Sequence, residues 1–155
     1  MSKLKTAKKA RPASKSLQYA ALPVRLTGDG AVEVLLVTSR ETKRWIIPKG
    51  WPIRKLTPGG AAAHEAYEEA GVQGVIRPAT PVGKYTYAKN TGTSELPLKV
   101  KVFLLHVERQ LAKWPEQAQR ETRWFNPAEA AGLVAEPKLA AILRKLPELV
   151  ALVNT

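Results

Sequence analysis

The sequence predicts one α/β domain in which a mixed sheet carries helices on both faces. Three observations lead there. The chain has 155 residues, 45% of them hydrophobic, which is one domain's worth of core-forming material. Its apolar runs are short and rich in β-branched residues, whereas one central segment has helical spacing between marked ends. No apolar run approaches the ~18 residues of a bilayer span. Cysteine is absent, which excludes disulfides, thiolate zinc sites and a cysteine nucleophile.

Gln18–Arg25 reads as the first strand and Thr27-Gly28-Asp29-Gly30 as a tight turn, because Gly and Asp tolerate the positive φ of such turns. Val32–Thr38 completes a hairpin. Trp45-Ile46-Ile47 is a third short strand closed by Pro48, and Lys49–Thr57, with Gly50 and Pro52, reads as a loop. A helix follows. Thr57 is its N-cap, Pro58 suits its first position and Gly71 supplies a left-handed stop. Ala63, Ala66, Tyr67 and Ala70 form a narrow apolar stripe along it, small enough to allow close approach to a sheet. Val72–Val82, Lys84–Tyr87 and Leu98–Val107 read as further strands, with Lys89–Pro97 as a mobile hairpin loop. His106 alternates with Val102 and Leu104 and reads as structural. Arg123-Trp124-Phe125 is a short strand, Asn126-Pro127 opens a short helix ending near Gly132, and Pro137 begins a last helix running past Leu139, Ile142, Leu143 and Leu146.

The net charge is +12, from 25 Lys and Arg against 13 Asp and Glu. Residues 1–16 hold Lys3, Lys5, Lys8, Lys9, Arg11 and Lys15 with no acid. They read as a basic, disordered tail, and residues 17–155 as the folded domain. The tail is expected to make weak, salt-sensitive contact with nucleic acid. The domain itself keeps a charge of +6, which suits a polyanionic ligand. The first residues lack the apolar core of a secretory leader, so a cytoplasmic protein without a membrane partner is expected.

Glu65, Glu68 and Glu69 lie at i, i+3 and i+4 of the predicted helix. At about 100° per residue they share one face. Like charges at that spacing cost about 0.2–0.5 kcal/mol per pair, and the helix contains no Lys or Arg to relieve them. A hard divalent cation would, because Mg²⁺ prefers carboxylate oxygens and shares its remaining sites with water and phosphates.

From Gly50 to Val72 the segment reads GWPIRKLTPGGAAAHEAYEEAGV, which resembles the Nudix box: Gly, five residues, Glu, seven residues, Arg-Glu, an aliphatic, any residue, Glu-Glu, any residue, Gly and an aliphatic. Gly50, Glu65, Ala66, Glu68, Glu69, Gly71 and Val72 match in register; Leu56 stands in place of the first Glu and His64 in place of the Arg. His64 can still donate a hydrogen bond, although its charge depends on pH where that of Arg would not. Residues Glu33 to Trp51, EVLLVTSRETKRWIIPKGW, are similar to the strand-turn-strand of the branch that includes the diphosphoinositol polyphosphate and diadenosine polyphosphate phosphohydrolases.

The resemblance implies a Nudix-like α/β/α sandwich with a mixed β-sheet. It also implies a metal-dependent hydrolase that cleaves a pyrophosphate bond in a nucleoside- or inositol-diphosphate-linked substrate, with Mg²⁺ or Mn²⁺ as cofactor. By family precedent the metal site comprises the Gly50 carbonyl, Glu65, Glu68 and Glu69, with Glu68 as general base and Glu121 as a second candidate for that role. Arg25, Arg40, Arg44 and Lys49 fall where the branch places phosphate contacts or beside the metal site. The branch tends to carry a Lys before the Pro equivalent to Pro137, where this chain has Glu136, a departure that disfavours the inositol substrate. An RNA pyrophosphohydrolase and a non-catalytic nucleotide- or RNA-binding module are the alternative readings.

Overall fold

The computed structural model describes residues 16–90, 92 and 94–154. The expected tail, apart from Ser16, lies outside the described residues. The elements run β1 (Leu17–Leu26), β2 (Val32–Thr38), β3 (Trp45–Ile46), β4 (Lys49–Gly50), α1 (Pro58–Ala70), β5 (Val72–Ile76), β6 (Gly83–Asn90), β7 (Glu95–Gln110), β8 (Thr122–Phe125), α2 (Pro127–Leu133), α3 (Pro137–Arg144) and α4 (Leu146–Val153). Among the described residues no helix is long and apolar enough to cross a membrane.

One sheet holds all eight of these strands. Its main path is β3-β2-β1-β7-β5, with β4 against β1, β6 against β7 and β8 against β2. β1 and β7 run parallel over Leu17↔Lys99 to Val24↔His106, and every other pairing is antiparallel. The sheet is therefore mixed, as expected. Alternation along β1 sends Ala20, Leu22 and Val24 to a core shared with Leu139, Leu143 and Leu146, and sends Ala21 to a second core with Ala62, Ala66, Ala70 and Phe103. α1 thus covers one face while α2, α3 and α4 cover the other, giving three layers.

The local chemistry explains the boundaries. In the β1–β2 turn Gly30 adopts φ 86°, the Thr27 amide donates to the Ala31 carbonyl at 2.8 Å, and the Asp29 carboxylate accepts from the Thr27 hydroxyl and the Ala31 amide. The hydrogen bond from Thr27 holds the Asp29 carboxyl below its ordinary pKa. α1 is capped as its sequence predicts: the Thr57 hydroxyl accepts from the Gly60 amide at 3.0 Å, and Gly71 closes the helix at φ 70°.

Five expectations need correction. Lys49–Thr57 is not wholly a loop, because Lys49 and Gly50 pair with Ala20 and Tyr19. The strand predicted over Val72–Val82 stops at Ile76, just before Pro78, which has no amide to donate to a ladder. Within the Lys89–Pro97 segment, Lys89 and Asn90 and the residues from Glu95 to Pro97 are strand, because β6 and β7 pair through to Asn90↔Glu95. The last helix is two helices that meet at Lys145, where Pro147 removes a helical donor. The buried stripe of α1 is also rotated from the predicted one, with Ala62, Ala66 and Ala70 buried and Ala63 and Tyr67 at its margin.

At Gly74 the sheet leaves no room for a side chain. The β5–β7 register shifts between Gln73 and Gly74, and a Cβ on Gly74 would overlap the carbonyl of His106, whose imidazole Nε2 is 3.0 Å from the Arg77 carbonyl. Gly74→Ala should therefore lower stability to urea by about 1–3 kcal/mol through overpacking. Gly28→Ala, where nothing lies within 4 Å, should stay within about 0.5 kcal/mol of the parent. Equal midpoints for the two variants would contradict this reading.

Candidate active site

A cleft of about 640 Å³ opens where α1, the β4 segment and the chain between β7 and β8 meet. Glu65 and Glu69, one helical turn apart, both reach it from α1. They are buried, at 2% and 5% exposure, on the margin of the stripe that packs against the sheet. β4 brings Gly50 against Glu65 so closely that a Cβ there would fall on the carboxylate. Pairing of Lys49 and Gly50 with β1 fixes that approach.

Glu68 goes elsewhere. Its carboxylate lies 3.3 Å from His64 Nε2 on a more exposed part of the helix, and it does not line the cleft. The expected convergence of all three glutamates on one site therefore reduces to Glu65 and Glu69. Among the described residues no three carboxylate or imidazole groups stand close enough to cage a cation by themselves.

The segment between β7 and β8 completes the cleft, and its residues were not singled out from the sequence. It is tied to the end of α1. The Leu111 amide donates to the Gly71 carbonyl at 2.8 Å and the Glu116 amide to the Glu68 carbonyl at 3.0 Å, while the Trp114 indole occupies the space a side chain on Gly71 would need. Thus anchored, the segment presents Glu116 and Arg120 to the cleft. Arg120 donates from Nε to Glu116 Oε1 at 2.8 Å and from Nη1 to the Thr38 carbonyl at 3.1 Å, and its Nη2 lies 3.7 Å from Glu69 Oε2. The i,i+4 spacing of Glu116 and Arg120 was the available signal, but nothing local ties that spacing to a site 47 residues away in sequence, at Glu69.

Electrostatics in the cleft are dominated by burial. Desolvation pushes the Glu69 carboxyl up to about 8, with Glu65 and Glu116 adding to the rise and Arg120 and Lys49 opposing it. Lys49 is lowered by burial, although Glu69 and Glu136 both favour its charged form. Its Nζ lies 4.9 Å from the centre of the Tyr87 ring, within cation–π range. Tyr87 donates to Gln18 Oε1 at 2.7 Å. Glu69 Oε1 is buried with no hydrogen-bond partner among the described residues, an expensive state for a carboxylate.

The expected phosphate contacts divide. Arg40 and Lys49 line the cleft, and so do Lys89 and Trp51, which are paired at 5.8 Å. Arg44 does not line it and is held 3.6 Å from Glu136. Arg25 lies on the hairpin of β1 and β2, in an ion pair with Glu33 at 2.8 Å and 4.0 Å over the Trp124 ring, away from the cleft. Glu121 is exposed and does not line it; its backbone is engaged with Thr38.

The chain is similar in sequence and in fold to known proteins. Nudix hydrolase 13, mitochondrial, of Arabidopsis thaliana is 35% identical over 111 residues, covering 68% of this chain and 54% of the plant protein. The chain thus spans about half the length of that relative. Diphosphoinositol polyphosphate phosphohydrolase 3-beta of Homo sapiens is 34% identical over 119 residues, covering 74% of this chain and 68% of the human protein. In fold, a C. elegans Ap4A hydrolase binary complex superposes with a TM-score of 0.64 at 19% identity, covering 88% of this chain and 98% of that one. The NUDIX domain profile matches residues 17–149, a span that holds the helix with its two buried glutamates, the glycine packed against them and the segment that closes the cleft: the chain belongs to the NUDIX domain family.

Proposed function

We propose that the chain is a pyrophosphohydrolase that uses Mg²⁺ or Mn²⁺ and acts on a nucleoside- or inositol-diphosphate-linked substrate, of the dinucleoside polyphosphate or diphosphoinositol polyphosphate type. The observation that carries this reading is the burial of Glu65 and Glu69 side by side in a cleft that also presents Arg40, Lys49, Lys89 and Arg120. The names of the human and nematode relatives support the substrate classes.

The residues present fit a divalent cation. Glu69 Oε1 is an unpartnered buried oxygen, and the Gly50 backbone lies against Glu65. Glu65, Glu69 and the Gly50 carbonyl would hold the ion, and water and substrate phosphate would fill its remaining sites, as Mg²⁺ prefers. When bound, the cation offsets the charge on the phosphate oxygens.

The other steps fall to the chain's own groups. Arg40 and Lys49 bind the non-reacting phosphate oxygens, and the flat face of Trp51 bounds the space for the attached group. Arg120 fixes the Glu116 carboxylate through its Nε. In this reading Glu116, rather than Glu68, accepts the proton of the attacking water while the new O–P bond forms and the bridging P–O bond breaks. The phosphate on the far side of that bond leaves.

A phosphate-release screen with Mg²⁺ or Mn²⁺ across dinucleoside polyphosphates and diphosphoinositol polyphosphates tests the activity. Release from neither class would favour the non-catalytic binding module, a reading for which Leu56 and His64 at two box positions speak. On the substrate that responds, Glu116→Gln should lower turnover by about 10²–10⁴-fold, the range of a lost general base, and Glu68→Gln by much less. The reverse order would return the base role to Glu68.

A second prediction follows from the raised Glu69 carboxyl. Below the ordinary carboxylate pKa both folded and unfolded chains carry this proton. Between that value and about 8 only the folded, metal-free chain keeps it, so the stability it contributes is lost as pH rises through about 8. Cation binding needs the ionised form and must expel the proton. Calorimetry of Mn²⁺ binding at roughly one unit below that pKa, in buffers of different ionisation enthalpy, should show close to one proton released per ion. No proton release, or unchanged release in Glu69→Gln, would contradict the assignment.

A further inference from the structure

Among the described residues, two aromatic side chains line the cleft, Tyr87 and Trp51. Tyr87 donates its hydroxyl to Gln18 Oε1 at 2.7 Å, and its ring centre is 4.9 Å from Lys49 Nζ. Trp51 is half-buried. The cation that faces its indole, Lys89 at 5.8 Å, is exposed and sits on a flexible four-carbon stem, so it can swing toward a phosphate and leave the ring to another flat group. The backbone of Trp51 is held from both sides. Gly50 before it pairs with Tyr19, and Pro52 after it restricts it toward an extended conformation. The indole therefore stands one residue from the carbonyl assigned to the cation, within reach of a group attached to the reacting phosphates.

The charges of the same cleft are balanced. Among the described residues that line it, the cations Arg40, Lys49, Lys89 and Arg120 are matched by four carboxylates, Glu41, Glu65, Glu69 and Glu116. Most of these cations are already engaged: Arg120 donates to Glu116 at 2.8 Å, Arg40 donates to Gln119 Oε1 at 3.2 Å, and Glu69 and Glu136 both act on Lys49. With a divalent cation bound, that balance suits one short phosphate chain. It leaves no excess of positive charge for a ring that bears several further phosphate monoesters, each with about −1.5 to −2 charge near pH 7.

From the held indole and the balanced charge together we infer that Trp51 sets the specificity of this cleft: its ring stacks on a nucleobase of the substrate, which is a nucleoside polyphosphate and not an inositol polyphosphate. Every base has a flat π-face, and an inositol ring has none. Removing an aromatic side chain from under a base weakens binding by roughly 5–150-fold, enough to separate the two classes. The inference deepens the reading of the cleft as a pyrophosphohydrolase site and rests on that reading for the placement of the phosphates.

The test is isothermal titration calorimetry on the full chain with Mg²⁺ and two probes: α,β-methylene adenosine diphosphate, whose bridge resists cleavage, and methylenediphosphonate, the same charged group without a nucleoside. The parent should bind the nucleotide analogue more tightly. Trp51→Leu should weaken that binding by roughly 5–150-fold and leave the diphosphonate unchanged, while Trp51→Phe, which keeps a flat ring, should retain most of the affinity; melting temperatures equal to the parent's confirm both folds. Equal affinity of the parent for the two probes, an equal loss for both in Trp51→Leu, or no loss for either would overturn the inference. In turnover, the parent should show the higher kcat/KM on a dinucleoside polyphosphate, and a higher value on a diphosphoinositol polyphosphate would also overturn it. Hydrolysis of neither class would defeat the proposed activity, and the comparison of the two probes would still decide the stack.

Discussion

Two carboxylates buried one turn apart on a helix set the terms for everything around them. The effective cost of taking each ion out of water is several kcal/mol, and it is met only by nearby opposite charge and hydrogen bonding. Glu65 and Glu69 are buried because α1 lies close to the sheet, and α1 lies close because its packed face is Ala62, Ala66 and Ala70. The same closeness requires Gly50 where β4 passes Glu65. Small side chains on the helix and none at Gly50 are thus one packing solution with an electrostatic consequence: burial favours the neutral Glu69 carboxyl, and Arg120 and Lys49 only partly oppose that.

The cation that faces Glu69 comes from outside the box. His64, at the position where the pattern has Arg, pairs with Glu68 on a more exposed part of the helix, while Arg120 reaches Glu69, Glu116 and the Thr38 carbonyl from the segment before β8. That segment is positioned by backbone contacts to the end of α1, by Trp114 over Gly71 and by the Glu116 amide on the Glu68 carbonyl. Gly71 therefore does two jobs. Its left-handed conformation stops the helix, and its missing side chain admits the indole that holds the segment bearing Glu116 and Arg120.

Local signals in the sequence decide structure where the cause is local. Thr57, Pro58 and Gly71 bound α1 as capping chemistry dictates, and Asn126 caps α2 through its side chain. Errors arose where tertiary contact decides. Lys49–Gly50 is strand because β1 offers it a partner, and β6 and β7 extend as far as Asn90 and Glu95 because each supports the other. At the site, spacing on the helix puts Glu65, Glu68 and Glu69 on one face but cannot tell that Glu68 turns to His64 while Glu65 and Glu69 line the cleft. Arg25 and Arg40 look alike in sequence. Only the ion pair with Glu33 and the stack on Trp124 separate the first from the cleft. Glu116 and Arg120 belong to a stretch with neither strand nor helix pattern, and their role exists only once β7 returns the chain to the end of α1.

The cation site proposed at Glu65 and Glu69 is what the other roles depend on. It is tested most directly by titrating Mn²⁺ into the substrate-free protein and following the free ion by electron paramagnetic resonance, for the parent and for Glu69→Gln. Expected are binding by the parent and an affinity weaker in the variant by more than the roughly 10–100-fold that loss of a mere outer-shell partner costs, with the far-ultraviolet circular dichroism of the two proteins the same. Equal affinity in parent and variant would mean that the buried carboxylates of α1 do not hold the ion.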